Sequence, residues 1–258
     1  MTRTAWFGRI GLLFLVVSAM LSLMSCRGTN LLSKQDEIQI GKEGSAAIEK
    51  EYKLDTNPER VALVQEIGQR VLQGMRQTEG KRAPDFPFTF KVLDSKEINA
   101  VSLPGGPVYV FRGLMEQVGD DRDMLAAVIA HEVGHIVAHH AAKQISSSIL
   151  ADIAISLGTK GSAQKVASIA TSLVMLQYSR DDEYDADRRG ILYTHAAGYD
   201  PEGLVRFFEK LQKLEKSPMK GLLANLRTHP LTENRILRAK KLIAQLPDRQ
   251  SPSAAPGQ

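Results

Sequence analysis

The sequence predicts an α+β protein, mainly α, with a small antiparallel sheet beside one central helix. Three observations predict it. Apolar residues recur at helical spacing through most of the chain. One stretch, Phe88 to Phe111, alternates instead and is cut by Pro104-Gly105-Gly106-Pro107. Between them, Asp121 to Ala142 reads as one helix carrying His131-Glu132-Val133-Gly134-His135. At 258 residues, 43% hydrophobic and 24% charged, the chain is a globular protein of one domain, or one domain plus a small appendage.

Residues 1–25 stand apart from that domain. Arg3 and Arg9 make a positive start, Ile10 to Met20 is an apolar run too short for a comfortable bilayer span, and Leu23-Met24-Ser25-Cys26 follows. This is the pattern of a cleaved secretory signal, and its last four residues resemble the bacterial lipoprotein box. By that resemblance Cys26 is lipidated and becomes the new N-terminus, which holds the enzyme to a membrane through a lipid anchor. With Arg27 following, the resemblance implies the periplasmic face of the outer membrane in a double-membraned bacterium. Without the lipid, the product is secreted or periplasmic. Cys26 is the only cysteine, so neither a disulfide nor a thiolate metal site is available to the folded part. The formal charge of +4 falls to +2 once Arg3 and Arg9 are removed, which gives no reason to expect nucleic acid as a partner.

The domain then runs over residues 26–246. Leu32 to about Lys53 reads as a first helix. A second starts at Asn57, a cap with Pro58 at the first helical position, and carries Val61, Leu63, Val64, Ile67, Val71, Leu72 and Met75 inward. Thr78 to Pro87 is turn-rich. Strands follow at Phe88 to Leu93, Ala100 to Leu103 and Val108 to Phe111, then a short helical piece at Gly113 to Val118. In the central helix, which Asp120 can cap, Leu125, Ile129, Val133, Ile136 and Val137 lie opposite the two histidines, so one side is expected in a core and the other at a site. Ser146 to Gln177 reads as two helical segments packing in the core, joined near Gly158 and Gly161. Arg180 to His195, Pro201 to Lys216 and Thr232 to Gln245 are further helices, with a loop at Ser217 to Pro230. Residues 247–258, rich in Pro, Ser and Gln, are expected to be a disordered tail.

The chemistry gathers on the central helix. A helix turns about 100° per residue, so His131 and His135 stand one above the other and offer two imidazoles to a Zn²⁺ tetrahedron. Glu132, one residue on, is placed to act as general base on a water activated by the metal. A catalytic zinc site needs a third protein ligand. Glu183-Tyr184-Asp185-Ala186-Asp187, 48 residues past His135, supplies two candidates on one helix face. One of Glu183 and Asp187 can bind metal while the other accepts a hydrogen bond from the far nitrogen of a ligand histidine.

Four pieces in this order resemble the periplasmic zinc metalloendopeptidases of the BepA and LoiP type, bacterial relatives of the CAAX prenyl endopeptidases and the mitochondrial Oma-type proteases. They are Asn99-Ala100 with Pro104-Gly105-Gly106; His131 to His135; Ser179 to Asp187; and Thr228-His229-Pro230 with Arg235 six residues after His229. The resemblance covers about Ile38 to Leu246 and implies a zincin-like metalloprotease fold. It also implies one Zn²⁺ per chain bound by His131, His135 and Glu183, with Glu132 as base and Asp187 orienting a ligand histidine. Asn99 and Ala100 lie in the edge strand where an extended substrate can add through main-chain hydrogen bonds. His229 has two open roles: donor to the developing oxyanion with Arg235 as a second positive group, or a movable fourth metal ligand. His139, His140 and His195 receive no catalytic role. The expected activity is zinc-dependent hydrolysis of peptide bonds in misfolded or misassembled cell-envelope proteins, with unfolded or extended protein segments as substrates. The alternative is a chaperone-like, non-hydrolytic envelope assembly factor using the same cleft. Glu132 speaks against that alternative, since a pure binder has no use for a base beside the metal.

Overall fold

The computed structural model describes residues 29–156, 176–223, 228–231 and 233–247, without the side chains of 149–156. Cys26 with its signal, most of the second segment expected within Ser146 to Gln177, Thr232 and most of the tail lie outside the described residues.

Helix α1 spans Lys34–Glu51 and starts on a capping box, Ser33 and Asp36 each satisfying the other's backbone N–H. Helix α2 spans Pro58–Glu79; the Asn57 side chain accepts from Arg60 N–H, and Val64, Ile67, Val71, Leu72 and Met75 are buried as the helical period requires. Strands β1 (Thr89–Leu93), β2 (Ala100–Ser102) and β3 (Pro107–Phe111) follow, then α3 (Arg112–Val118), α4 (Arg122–Val137) and α5 (His140–Ser156). After residue 175 come α6 (Arg180–Ala196), α7 (Glu202–Glu215), a 3₁₀ turn at Pro218–Leu222 within the expected loop, and α8 (Glu233–Ile243).

The sheet is mixed rather than antiparallel. Its order is β1-β3-β2, with β1 parallel and β2 antiparallel to β3. The turn at Leu103 to Gly106, with Gly105 and Gly106 both at positive φ, fixes the β2–β3 hairpin, but nothing local says on which side of β3 the first strand docks. Packing decides it. Phe90 of β1 lies on Gly68 of α2, where an added Cβ would come within 2.5 Å of the ring. β3 is therefore the central strand, with β1 on the α2 side and β2 at the opposite edge, alongside α4.

The pleat divides the core in two. Phe90, Val92, Ala100, Val108 and Val110 face the helices in the main cluster, whereas Leu93, Val101, Leu103, Tyr109 and Phe111 face Ile48 of α1 and Ile145 of α5.

Helix α4 differs from expectation in three ways. It is capped by Asp121, whose carboxylate accepts from Met124 N–H at 2.9 Å, and not by Asp120. It is buried on every side from Met124 to Val137, because α6 closes over the face that carries the histidines. It also stops at Val137 instead of running to Ala142. His139 adopts a left-handed φ of 57°, a conformation that costs a non-glycine residue about 1 kcal/mol. The buried Glu37 carboxylate, 2.8 Å from His139 Nδ1, and the Phe86 ring edge hold it there. The reversal lets α5 begin at His140 and folds that side chain back toward His135.

Candidate metal centre

α4 and α6 approach closely because each presents a glycine to the other. A Cβ on Gly134 would stand 3.0 Å from the Ala186 carbonyl, and one on Gly190 would stand 3.0 Å from His131 N. Ser179 caps α6 through a capping box with Asp182, which sets the register so that Glu183 and Asp187 face His131 and His135.

His131, His135, Glu183 and His229, all buried, place one candidate ligand atom each within 4.8 Å of one another. His131 Nε2 lies 3.0 Å from His135 Nε2 and 3.6 Å from Glu183 Oε2; His135 Nε2 lies 3.5 Å from Glu183 Oε1. Ligands 2.0–2.2 Å from a tetrahedral Zn²⁺ sit about 3.3–3.5 Å apart, so these spacings suit the ion. The donor chemistry agrees. His131 Nδ1 is 3.0 Å from Asp187 Oδ1, a partner that only accepts, so the proton sits on Nδ1 and the Nε2 lone pair faces the cluster. His135 Nδ1 is 3.0 Å from His140 Nδ1, and His140 Nε2 points to Asp182 and Asp185 at 3.6 Å. With His140 donating toward those carboxylates and accepting from His135, the His135 Nε2 lone pair also faces inward. Two lone pairs 3.0 Å apart repel unless a proton or a metal ion lies between them. Charge points the same way: the buried carboxylates of Glu132, Glu183 and Asp187 outnumber Arg235, the one permanently charged cation buried beside them among the described residues, which favours a divalent ion here.

Arg235 organises the carboxylates. It donates to Asp187 Oδ2 at 2.8 Å and Oδ1 at 2.7 Å, its Nη1 lies 2.6 Å from Glu183 Oε2, and its guanidinium covers the Phe208 ring. Burial pushes the Glu183 carboxyl up, but the charges of His229 and Arg235 outweigh it and hold the group below the usual carboxylate range. Burial acts likewise on Asp187 and is overcome by Arg235 and His131. Burial and the neighbouring His131, His229 and His140 hold His135 well below the ordinary histidine range, as a neutral ligand must be.

His229 stands at the fourth corner. Its Nδ1 is 2.9 Å from Glu183 Oε1 and 3.4 Å from His131 Nε2, and its Nε2 is 3.6 Å from Glu132 Oε1. Arg235 follows on α8, with its donors directed to Asp187, Glu183 and the Pro230 carbonyl; it stands behind the cluster.

At the sheet edge the hydrogen-bond alternation is legible. Asn99 O accepts from Phe111 N–H and Leu103 N–H donates to Pro107 O, so odd-numbered residues pair with β3 while Ala100 and Ser102 turn their main chain away from it, to a side where no strand pairs among the described residues. Ile98, of the same parity, donates instead to Leu222 O. Ala100 thus directs its main chain to the outer side of the ladder, where the residue is buried. Asn99 does not: its carbonyl serves β3, and only its buried side-chain Oδ1, which lacks a hydrogen-bond partner, is left to contribute.

Two residues of the site carried no signal in the sequence. Ser102 Oγ donates to Glu132 Oε2 at 2.7 Å, and Tyr178 stacks on His135 with ring centroids 4.0 Å apart. Strand parity places Ser102 on the same face as Ala100, but only the docking of β2 along α4 brings it to Glu132. Nothing local marks Tyr178.

The chain is similar to several metalloproteases. It is 35% identical over 155 residues to the mitochondrial metalloendopeptidase OMA1 of Arabidopsis thaliana, covering 60% of this chain and 30% of that protein. It is 29% identical over 189 residues to the beta-barrel assembly-enhancing protease of Escherichia coli, covering 67% and 38%, and 30% identical over 156 residues to the metalloprotease LoiP of Escherichia coli, covering 58% and 60%. Each match therefore spans less than two thirds of the relative's length. The sequence model of Peptidase family M48 matches residues 58–243, from the first residue of α2 to the last of α8. Because that match takes in both helices that face the metal cluster and the sheet edge beside it, the chain belongs to Peptidase family M48, whose members are zinc-dependent metalloproteases.

Proposed function

We propose that this protein is a zinc-dependent endopeptidase that cuts extended segments of misfolded or misassembled cell-envelope proteins. The observation that carries the reading is the outer side of β2 beside Glu132, which pairs with no strand among the described residues. Ala100 and Ser102 turn main-chain donors and acceptors that way; both are buried in this structure, so a substrate strand that pairs with them displaces what covers them and then passes the cluster in extended form. Such pairing reads backbone more than side chains, which suits unfolded clients of varied sequence.

In this reading His131, His135 and Glu183 hold the ion, and Asp187 and His140 fix the two imidazoles. The bound Zn²⁺ would polarise the scissile carbonyl and acidify water. Glu132 Oε1, buried and without a hydrogen-bond partner, takes the proton of the attacking water and passes it to the leaving amine. Cys26 would tether the enzyme to the periplasmic face of the outer membrane. Among the described residues no helix is long and apolar enough to cross a membrane. The similarity to the beta-barrel assembly-enhancing protease of Escherichia coli supports an envelope role.

The test is digestion of unfolded casein by wild type and Glu132→Gln, with zinc content measured in both. Loss of cleavage with zinc retained is expected. Equal cleavage by a zinc-loaded Glu132→Gln enzyme would remove Glu132 as the base.

A further inference from the structure

Glu132 is 1% exposed, and its two carboxylate oxygens are treated differently. Oε2 accepts from Ser102 at 2.7 Å, whereas Oε1 has no hydrogen-bond partner and faces His229 Nε2 at 3.6 Å. A carboxylate can only accept, so the Ser102 proton is committed to Oε2. Tyr178 lines the same small pocket as Ser102 and His135. The hydroxyl is thus directed to Oε2.

We propose that Ser102 is a positioning residue for the reaction. Its side chain locks the Glu132 carboxylate so that Oε1 alone is left for the water proton, and its outward main chain lies in the strand that receives the substrate. The proposal rests on the reading of Glu132 as base and of β2 as the substrate edge. Its consequence is mechanical: a substrate strand that pairs at residue 102 steadies the peptide unit from which the hydroxyl springs, and so the base. Specific peptides would then gain in turnover from pairing at this rung, beyond what they gain in binding.

The hydroxyl can be removed without disturbing that main chain. Ser102→Ala should lower kcat by about ten- to a hundredfold, the worth of one hydrogen bond to a charged group, with KM within about twofold and zinc content unchanged. Ser102→Thr should restore most of the loss, because threonine suits a strand and a small cavity of about 10 Å³ beside Ser102 and Pro104, the space of about one water, can take its methyl. Ser102→Val has the shape of threonine without the hydroxyl and should behave like alanine. The Thr and Val pair keeps the test informative even if Ser102→Ala perturbs packing. Equal kcat for the Thr and Val variants, or a loss carried by KM, would overturn the proposal. Activity in Glu132→Gln would instead sink the underlying reading of the base, so the two failures are distinguishable.

Discussion

Arg235→Met gives the most demanding test of how the site is held together. Methionine keeps much of the length of arginine and its packing against Phe208, but it removes a guanidinium that is 3% exposed and serves two buried carboxylates. Asp187 loses both bidentate bonds, and Glu183 loses a cation 2.6 Å away. Breaking a buried ion pair from one side costs about 3–5 kcal/mol, because the remaining charge stays buried without compensation. At about 2–4 °C per kcal/mol for a domain of this size, the metal-free variant should melt about 6–20 °C below metal-free wild type. The pH dependence should also change sign. In wild type the folded Asp187 and Glu183 carboxyls sit below their ordinary values, so their stabilisation is complete above the unfolded pKa values near 4 and is lost as pH falls further, through the folded ones. Without Arg235, burial prevails at Asp187 and raises its carboxyl. The folded state then binds the proton more tightly than the unfolded one, and the variant should gain stability as pH falls from neutrality. Chemical denaturation with chelator at several pH values measures both effects. A loss below 1 kcal/mol, or a pH profile parallel to wild type, would refute the placement of Arg235 as the counter-charge.

Three further outcomes follow from the same geometry. Glu183→Ala should abolish zinc retention and Asp187→Ala should weaken affinity by about 10–100-fold, read by competition with a chromogenic chelator; full affinity in Glu183→Ala would move the third ligand elsewhere. His229→Ala should raise basal cleavage of unfolded substrate if the imidazole acts as a displaceable fourth ligand, the outcome favoured by its Nδ1 lying within the cluster, whereas a fall of about 10²–10³ would assign it to the oxyanion. Cys26→Ser should move the protein from the membrane fraction to the soluble periplasm with its fold and activity intact, and unchanged fractionation would leave Cys26 as only the end of a signal.

What the sequence determined by itself is what short-range physics encodes. Helical period located α2, α6, α7 and α8 to within a few residues; Asn57-Pro58 marked a helix start; and Pro104-Gly105-Gly106 marked the hairpin turn. His131, Glu132 and His135 were legible because a four-residue separation on a helix is itself a geometry, and Glu183 and Asp187 because the same rule applies to them. Tertiary structure decided the rest, wherever the partners lie far apart and no local pattern joins them. The helix break at His139 depends on a carboxylate 102 residues away in α1. The parallel docking of β1 depends on Phe90 filling the hollow over Gly68. Arg235 reaches its carboxylates across 48 residues, and Ser102 reaches Glu132 across 30. Each of these is a burial problem: a charged or polar group removed from water must be met by whichever complementary group the packing of distant elements brings within 3 Å, and only the folded chain fixes which group that is.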